Sequence, residues 1–174
     1  DGRISISDVK DLNIDDLLNR EQVKPDYDLL NKNINSKTVL VTGAGGSIGS
    51  ELCRQIIKLK PNKLLLVEKN EFVIYKIYEE LKIKNKNLKI ISLLVDVEDQ
   101  VKLELIFEAF KVDTVYHAAA YKHVPLVEEN ICEGVKNNVF GTLAVVKASV
   151  IKKVSNLVLI SSDKAVRPTN IMGA

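Results

Sequence analysis

The run Val39-Leu40-Val41-Thr42-Gly43-Ala44-Gly45-Gly46-Ser47-Ile48-Gly49-Ser50-Glu51-Leu52 constrains this chain more than any other stretch. A β-compatible run leads straight into a glycine-rich turn, and the turn leads into a helical pattern, Glu51-Leu52-Cys53-Arg54-Gln55-Ile56-Ile57. Four of the eight glycines lie between positions 43 and 49. Strand, bare turn and helix N-terminus in that order form a cradle for a diphosphate. The first-turn N–H groups and the helix dipole attract anionic oxygens, and missing Cβ atoms let the ligand come close. Gly43 then makes the turn, Gly46 permits the approach and Gly49 packs helix on strand, in a Gly-x-x-Gly-x-x-Gly spacing with Ile48 at its penultimate position. A tight packing joint is the competing use of such a turn, and Glu68 speaks against it. Glu68 ends a second apolar run, Leu64-Leu65-Leu66-Val67, about twenty residues on, where a carboxylate accepts both hydroxyls of an adenosine ribose. The same carboxylate repels a 2′-phosphate, so NAD is the expected cofactor, with NADP the alternative because Lys69 is adjacent. Asp96 closes a third run and either lies beside the adenine or caps the helix that starts near Asp99.

The rest of the chain repeats this alternation. Thr38–Thr42, Lys63–Val67, Leu88–Val95, Thr114–His117 and Asn156–Ile160 read as strands, and 48–60, 71–82, 99–110 and 134–152 as helices. Strands apolar on both faces and separated by helices predict an α/β fold, a doubly wound parallel sheet of Rossmann type with right-handed crossovers. Residues 1–36 are polar and read as a leader or linker, with one amphipathic stretch, Asn13-Ile14-Asp15-Asp16-Leu17-Leu18-Asn19-Arg20, that Asn13 can cap. The dinucleotide-binding domain then runs from 37 to 174.

Composition removes several classes. A length of 174 residues holds one α/β domain and a short appendage. Lys and Arg number 25 against 23 Asp and Glu, a formal +2, so no nucleic acid is expected as a partner. With 46% hydrophobic and 28% charged residues, a packed core is expected rather than disorder. No apolar run reaches the ~20 residues that cross a bilayer, and the first residues lack the layout of a secretion signal. Cys53 and Cys132 lie far apart in apolar helical patterns, which predicts free thiols and a reducing, cytoplasmic setting. His117 and His123 have no carboxylate-rich neighbours at ligand spacing, so both read as packed histidines and no metal site is expected. The lysine-rich stretch 81–89 reads as a solvated turn. The one methionine is Met172, so the natural start is expected upstream of Asp1 and the chain reads as a piece of a longer protein.

Ligands in an open parallel sheet bind off the carboxyl ends of the strands. The fourth strand ends in His117-Ala118-Ala119-Ala120-Tyr121-Lys122-His123-Val124-Pro125, whose small residues let a flat cofactor lie close. The fifth ends in Ser161-Ser162-Asp163-Lys164, where hydroxyl, carboxylate and ammonium converge, a set suited to proton transfer. With Asn137-Asn138-Val139-Phe140-Gly141-Thr142 and Ser162-Asp163-Lys164-Ala165, these words resemble the extended short-chain dehydrogenase/reductases. Within that group they are most similar to the nucleotide-sugar 4,6-dehydratases of the membrane-anchored polysaccharide branch, which act on UDP-N-acetylglucosamine. The resemblance covers most of 37–174, and the leader also resembles the stretch joining the membrane part of that branch to its catalytic domain.

The resemblance implies a redox-neutral cycle on a UDP-N-acetylhexosamine: oxidation at C4, loss of water across C5 and C6, and hydride return to C6. It implies Lys164 as the base at C5, Asp163 as the acid for the departing hydroxyl and Ser162 as the partner of the C4 oxygen. Most short-chain dehydrogenases carry Tyr-x-x-x-Lys; here Met172 stands at the tyrosine position, as in the anchored branch, and Asp163 is the candidate acceptor of the C4 hydroxyl proton. The implied cofactor set is Gly43, Gly45, Gly46, Ser47, Ile48, Gly49, Glu68, Asp96, Val97, Ala118, Ala119, Ala120, Lys122 and Asn138. Tyr78 and Lys82 also fit Tyr-x-x-x-Lys, but they follow the second strand and read as an ordinary helix pair. The motif lysine falls beyond Ala174, and the fold reads as truncated before the substrate lobe, so this chain alone is expected to bind dinucleotide without turnover. A homo-oligomer and a membrane anchor upstream, with the domain at the cytoplasmic face, complete the expectation. The alternatives are a non-catalytic dinucleotide sensor, which Met172 favours, and an epimerase or reductase, which needs the absent tyrosine.

Overall fold

A computed structural model describes residues 23–174. Five strands, β1 (Thr38–Thr42), β2 (Lys63–Glu68), β3 (Lys89–Leu94), β4 (Thr114–His117) and β5 (Asn156–Leu159), form one sheet in the order β3-β2-β1-β4-β5. Every pairing is parallel, with Thr42 beside Val67 on one side and beside His117 on the other. Alternate strand residues serve opposite faces, and the core divides accordingly. Val39, Val41, Leu64, Leu66 and Ile90 pack with the helices α1 (Tyr27–Ile34), α2 (Ser47–Ile56) and α3 (Glu71–Lys84). Leu40, Leu65, Val67 and Val115 pack with α4 (Gln100–Phe110) and α7 (Thr142–Ile151). Each such fully buried Leu or Val contributes about 1.5–3 kcal/mol of transfer free energy. The expected doubly wound α/β sheet is what forms.

After β3 the chain returns to the other side of β1, so the strand order reverses between β1 and β4. Parallel strands present their carboxyl ends on one edge, and the crevice opens at this reversal.

Several helices depart from the sequence reading. The helix expected over 48–60 stops at Ile56, tightens into a 3₁₀ turn at Ile57–Leu59 and ends on Lys60 in the left-handed region, φ 55. The single helix expected over 134–152 is α6 (Ile131–Val135), a π-helical turn at Lys136–Gly141 and then α7. A short α5 (Val124–Glu129), with proline in its first turn, fills a stretch read as loop. Part of the stretch read as leader is core-forming: Asp26 caps α1 by accepting from Leu29 N–H at 3.0 Å, Ile34 is buried, and Thr114 Oγ1 donates to Asn33 O at 2.7 Å. The amphipathic stretch 13–20 lies outside the described residues. Among the described residues no helix is long and apolar enough to cross a membrane, and both cysteines are free.

Candidate active site at the carboxyl ends of the strands

The four glycines of the loop serve different ends. Gly43 adopts φ +63, a region that side chains disfavour, and a Cβ on it would lie 2.7 Å from Ala118 O. A Cβ on Gly49 would lie 2.0 Å from the Gly43 carbonyl oxygen, and one on Gly45 would lie 2.3 Å from the Val73 side chain. Packing of loop on β4, helix on loop and loop on α3 therefore accounts for these three. Gly46 is the exception: its nearest neighbour to an added Cβ is Gly43 O at 3.3 Å, and it lines the cavities on both sides of the loop.

Gly46 is also the N-cap of α2 and makes no side-chain cap hydrogen bond, so the first-turn N–H groups lack an acceptor within the helix. Lys122 Nζ donates to Ser47 Oγ at 3.1 Å and brings a positive charge to that helix end. Bare backbone, unpaired N–H donors and a cation fit the diphosphate of a dinucleotide.

On the β2 side a cavity of about 120 Å³ is lined by Val67, Glu68, Val95, Val97 and Ala118–Ala120 among others. Glu68 is fixed there by three backbone donors: Gly45 N–H at 3.3 Å, Lys69 N–H at 3.0 Å and Asn70 N–H at 3.2 Å. Its carboxylate retains lone pairs for further donors. Gly45, assigned to the cofactor by sequence, thus acts through Glu68 and Val73 and lines neither cavity. Of the two roles read for Asp96, the cap of α4 falls to Asp99, which accepts from Lys102 N–H at 3.0 Å. Asp96 instead accepts from Glu98 N–H at 3.2 Å and faces Lys69 Nζ at 3.5 Å.

On the other side of the loop a cavity of about 450 Å³ lies against Ser47, Ile48, Lys122 and Val127. A wider cleft of about 560 Å³ continues from Ile48, Ala118–Lys122 and Asn138 to Ser162, Asp163, Lys164 and Met172. The structure therefore brings the glycine loop, the small-residue wall and the fifth-strand triplet to one place. Asn138 clamps the wall, accepting from Tyr121 N–H at 2.8 Å and donating to Tyr121 O at 2.9 Å.

The triplet after β5 is self-contained and exposed. Lys164 Nζ donates to Asp163 Oδ1 at 3.2 Å, Ser162 Oγ donates to the same oxygen at 3.3 Å, and Lys164 N–H donates to Ser162 Oγ at 3.1 Å. The Lys164 hydrogen bond and charge hold the Asp163 carboxyl below its usual range. His117, by contrast, is sealed between Thr42 Oγ1 at 2.5 Å and Thr142 Oγ1 at 2.9 Å, and burial drives its pKa down to about 4. It ties β1 to α7 as a neutral ring and does not reach the cleft. Among the described residues no cluster could hold a metal ion. Tyr78 and Lys82 sit together on α3, the ammonium 5.8 Å from the ring centroid, away from the cleft.

Sequence reasoning missed Tyr121 and Asn137, and used Lys69 only as an argument about NADP. The Lys69 ammonium lies 4.7 Å from the Tyr121 ring centroid and donates to Asn137 Oδ1 at 3.2 Å. Partial burial works against its charge, yet Tyr121 and Asp96 outweigh burial and raise its pKa. The only local sign of Asn137 was its place before Asn138 in the Asn-Asn pair.

A parallel sheet whose order reverses beside a glycine loop, with a carboxylate closing the second strand, defines a dinucleotide-binding fold. Residues 39–174 match the polysaccharide biosynthesis protein family, and the chain belongs to it. It is 42% identical over 174 residues to the capsular polysaccharide biosynthesis protein CapD of Staphylococcus aureus, covering 99% of this chain and 29% of CapD. It is 36% identical over 141 residues to a UDP-N-acetylglucosamine 4,6-dehydratase (inverting) of Campylobacter jejuni, covering 80% of this chain and 40% of that enzyme. Among solved structures it resembles Pen from Bacillus thuringiensis with a TM-score of 0.75 and 34% identity, over 81% of this chain and 43% of Pen. The chain thus spans well under half the length of these relatives.

Proposed function

We propose that this chain is the dinucleotide-binding and acid–base part of a nucleotide-sugar 4,6-dehydratase that acts on UDP-N-acetylglucosamine in polysaccharide or glycan biosynthesis. The observation that carries the reading is the single cleft in which Ile48 of the glycine loop meets Ser162, Asp163 and Lys164. A sensor that only binds dinucleotide has no use for an acid–base pair there.

NAD, when bound, supplies hydride acceptance at sugar C4 and hydride return at C6. Glu68, held by its three backbone donors, accepts from the adenosine ribose and opposes a 2′-phosphate, which favours NAD over NADP. Ser162 Oγ hydrogen-bonds the C4 oxygen. Asp163 begins as a carboxylate, which its lowered pKa secures, and so takes the C4 hydroxyl proton. Lys164, 3.2 Å from the Asp163 carboxylate, is the base at C5. In its amine form Lys164 removes the C5 proton, acidified by the C4 ketone, Asp163 gives its proton to the departing C6 hydroxyl, which leaves as water, and Lys164 returns its proton to C5 as hydride reaches C6. The Met172 thioether has no proton to exchange and leaves this relay to Asp163. Free thiols at Cys53 and Cys132 support a cytoplasmic setting for the domain.

The test replaces the matching segment of the Campylobacter enzyme with residues 39–174 of this chain and supplies UDP-N-acetylglucosamine and NAD. Mass spectrometry should show loss of one water from the sugar with no net NADH. Lys164→Ala in the same chimera should abolish dehydration and leave NAD affinity unchanged. A chimera that binds NAD and dehydrates equally well without Lys164 overturns the assignment.

A further inference from the structure

The residues that the mechanism leaves unused form one chain of contacts across the carboxyl ends of three strands. Asp96 follows β3, Lys69 follows β2, and Tyr121 follows β4. Lys69 Nζ sits 3.5 Å from Asp96 Oδ2, 3.2 Å from Asn137 Oδ1 and 4.7 Å from the Tyr121 ring centroid. Asn137 Nδ2 then donates to Asn138 Oδ1 at 3.0 Å, and Asn138 holds both the N–H and the C=O of Tyr121. Asn137 is 4% exposed, so its amide has no access to bulk water as a substitute partner. Both asparagines belong to the π turn, which departs from the α-helical register, and such turns concentrate at functional positions.

An ammonium has three donors. Those of Lys69 face a carboxylate, an amide oxygen and the Tyr121 ring. A 2′-phosphate could recruit this lysine only by breaking one of these contacts. We propose that Lys69 is a positioning residue, a strut that sets the wall Ala118–Tyr121 at its distance from Glu68, and not the counter-ion of a 2′-phosphate. For its ligand the inference rests on the dinucleotide reading, while the strut itself is a property of the ligand-free protein.

Two measurements on the intact chain test it. The first is hydrogen exchange without ligand, comparing wild type with Lys69→Met, which keeps the stem and removes the charge, and with Lys69→Arg, which keeps the charge. Lys69→Met should speed exchange at residues 119–123 and leave the β1 and β2 amides as protected as before; Lys69→Arg should stay near wild type. The second is calorimetric titration with NAD and with NADP. Lys69→Met should weaken both by the same factor, about tenfold, the scale of one charge-assisted hydrogen bond. Asp96→Asn, at a half-exposed position that does not threaten folding, should reproduce the pattern more weakly if Lys69→Met is recovered unfolded. A loss confined to NADP makes Lys69 a phosphate counter-ion and overturns the proposal. Unchanged exchange at 119–123 in both Lys69→Met and Asp96→Asn overturns it as well. If wild type binds neither dinucleotide, the proposed function falls, and the exchange experiment still decides the strut.

Discussion

The two halves of the cleft are held in different ways. On the β1–β2 side the strands are buried throughout β1, and the one functional carboxylate, Glu68, is fixed by three backbone donors. On the β5 side Leu159 is 54% exposed, and Ser162, Asp163 and Lys164 bond chiefly to one another. The first half is preorganised by its own core. The second carries the groups to which the proposed function assigns proton transfer, and it takes little support from the sheet beneath it. Under the proposed function the contrast has a use: preorganised backbone would suit a ligand that stays bound throughout, whereas groups proposed to exchange protons with a substrate would need an environment that changes on its arrival.

The largest effect should come from the packed half. Gly49→Ala drives a Cβ into the Gly43 carbonyl oxygen, and neither backbone segment can yield without moving β1 or α2. Overpacking of this kind costs about 3 kcal/mol, or roughly 6–12 °C in Tm for a chain of this size. Gly46→Val, only three positions earlier, meets Gly43 O at 3.3 Å rather than 2.0 Å, so it should lower Tm by much less than Gly49→Ala and weaken dinucleotide binding by about a hundredfold, or ~2.7 kcal/mol. Thermal melts with paired titrations separate the two. Equal loss of stability in both variants would erase the distinction between packing glycines and the ligand-facing one.

His117 sharpens the comparison through pH. Its folded pKa of about 4 lies below the ordinary imidazole value of about 6.5, so the folded state resists the proton that the unfolded chain takes up. Its contribution is fully present above about pH 6.5 and is lost as pH falls from there through 4, a loss of about 3 kcal/mol at most. Urea unfolding between pH 7 and 4 should show stability declining with uptake of one proton. The decline should flatten in His117→Gln. A flat profile in wild type would mean that water reaches the ring between Thr42 and Thr142.

The strands were legible because their evidence is local. Thr38–Thr42 and Thr114–His117 are read to the residue, since a fully buried parallel strand is a continuous apolar run bounded by turn residues. The helix α1 was not legible: Tyr27-Asp28-Leu29-Leu30-Asn31-Lys32-Asn33-Ile34 is polar, and its place depends on Ile34 meeting a core assembled from strands far along the chain. The π turn escaped for another reason. Windows of helical periodicity run across it, and nothing local distinguishes Lys136–Gly141 from α-helix on either side. At the strand ends, the cavity-lining positions of Gly46, Glu68 and Ser162–Lys164 could be read because each ends or begins an element. The Lys69 to Asn137 contact spans 68 positions, and no spacing rule reaches across that separation.

Lys164→Ala is the smallest perturbation and the most direct test of the contrast between the halves. Asp163 is 86% exposed at its side chain, and the pair lies on neighbouring residues, so the ion pair forms as readily in an unfolded chain as in the folded one. Removing the ammonium should therefore leave Tm and NAD affinity of this chain unchanged. Its one local consequence should be a rise of the Asp163 pKa toward its ordinary value, because the lowering depends first on the Lys164 hydrogen bond and then on its charge. A carboxyl ¹³C titration of wild type and variant reads that rise directly. A fall in Tm comparable to that of Gly49→Ala would show that the triplet braces the sheet, and the division between a preorganised binding half and a loosely supported chemical half would not stand.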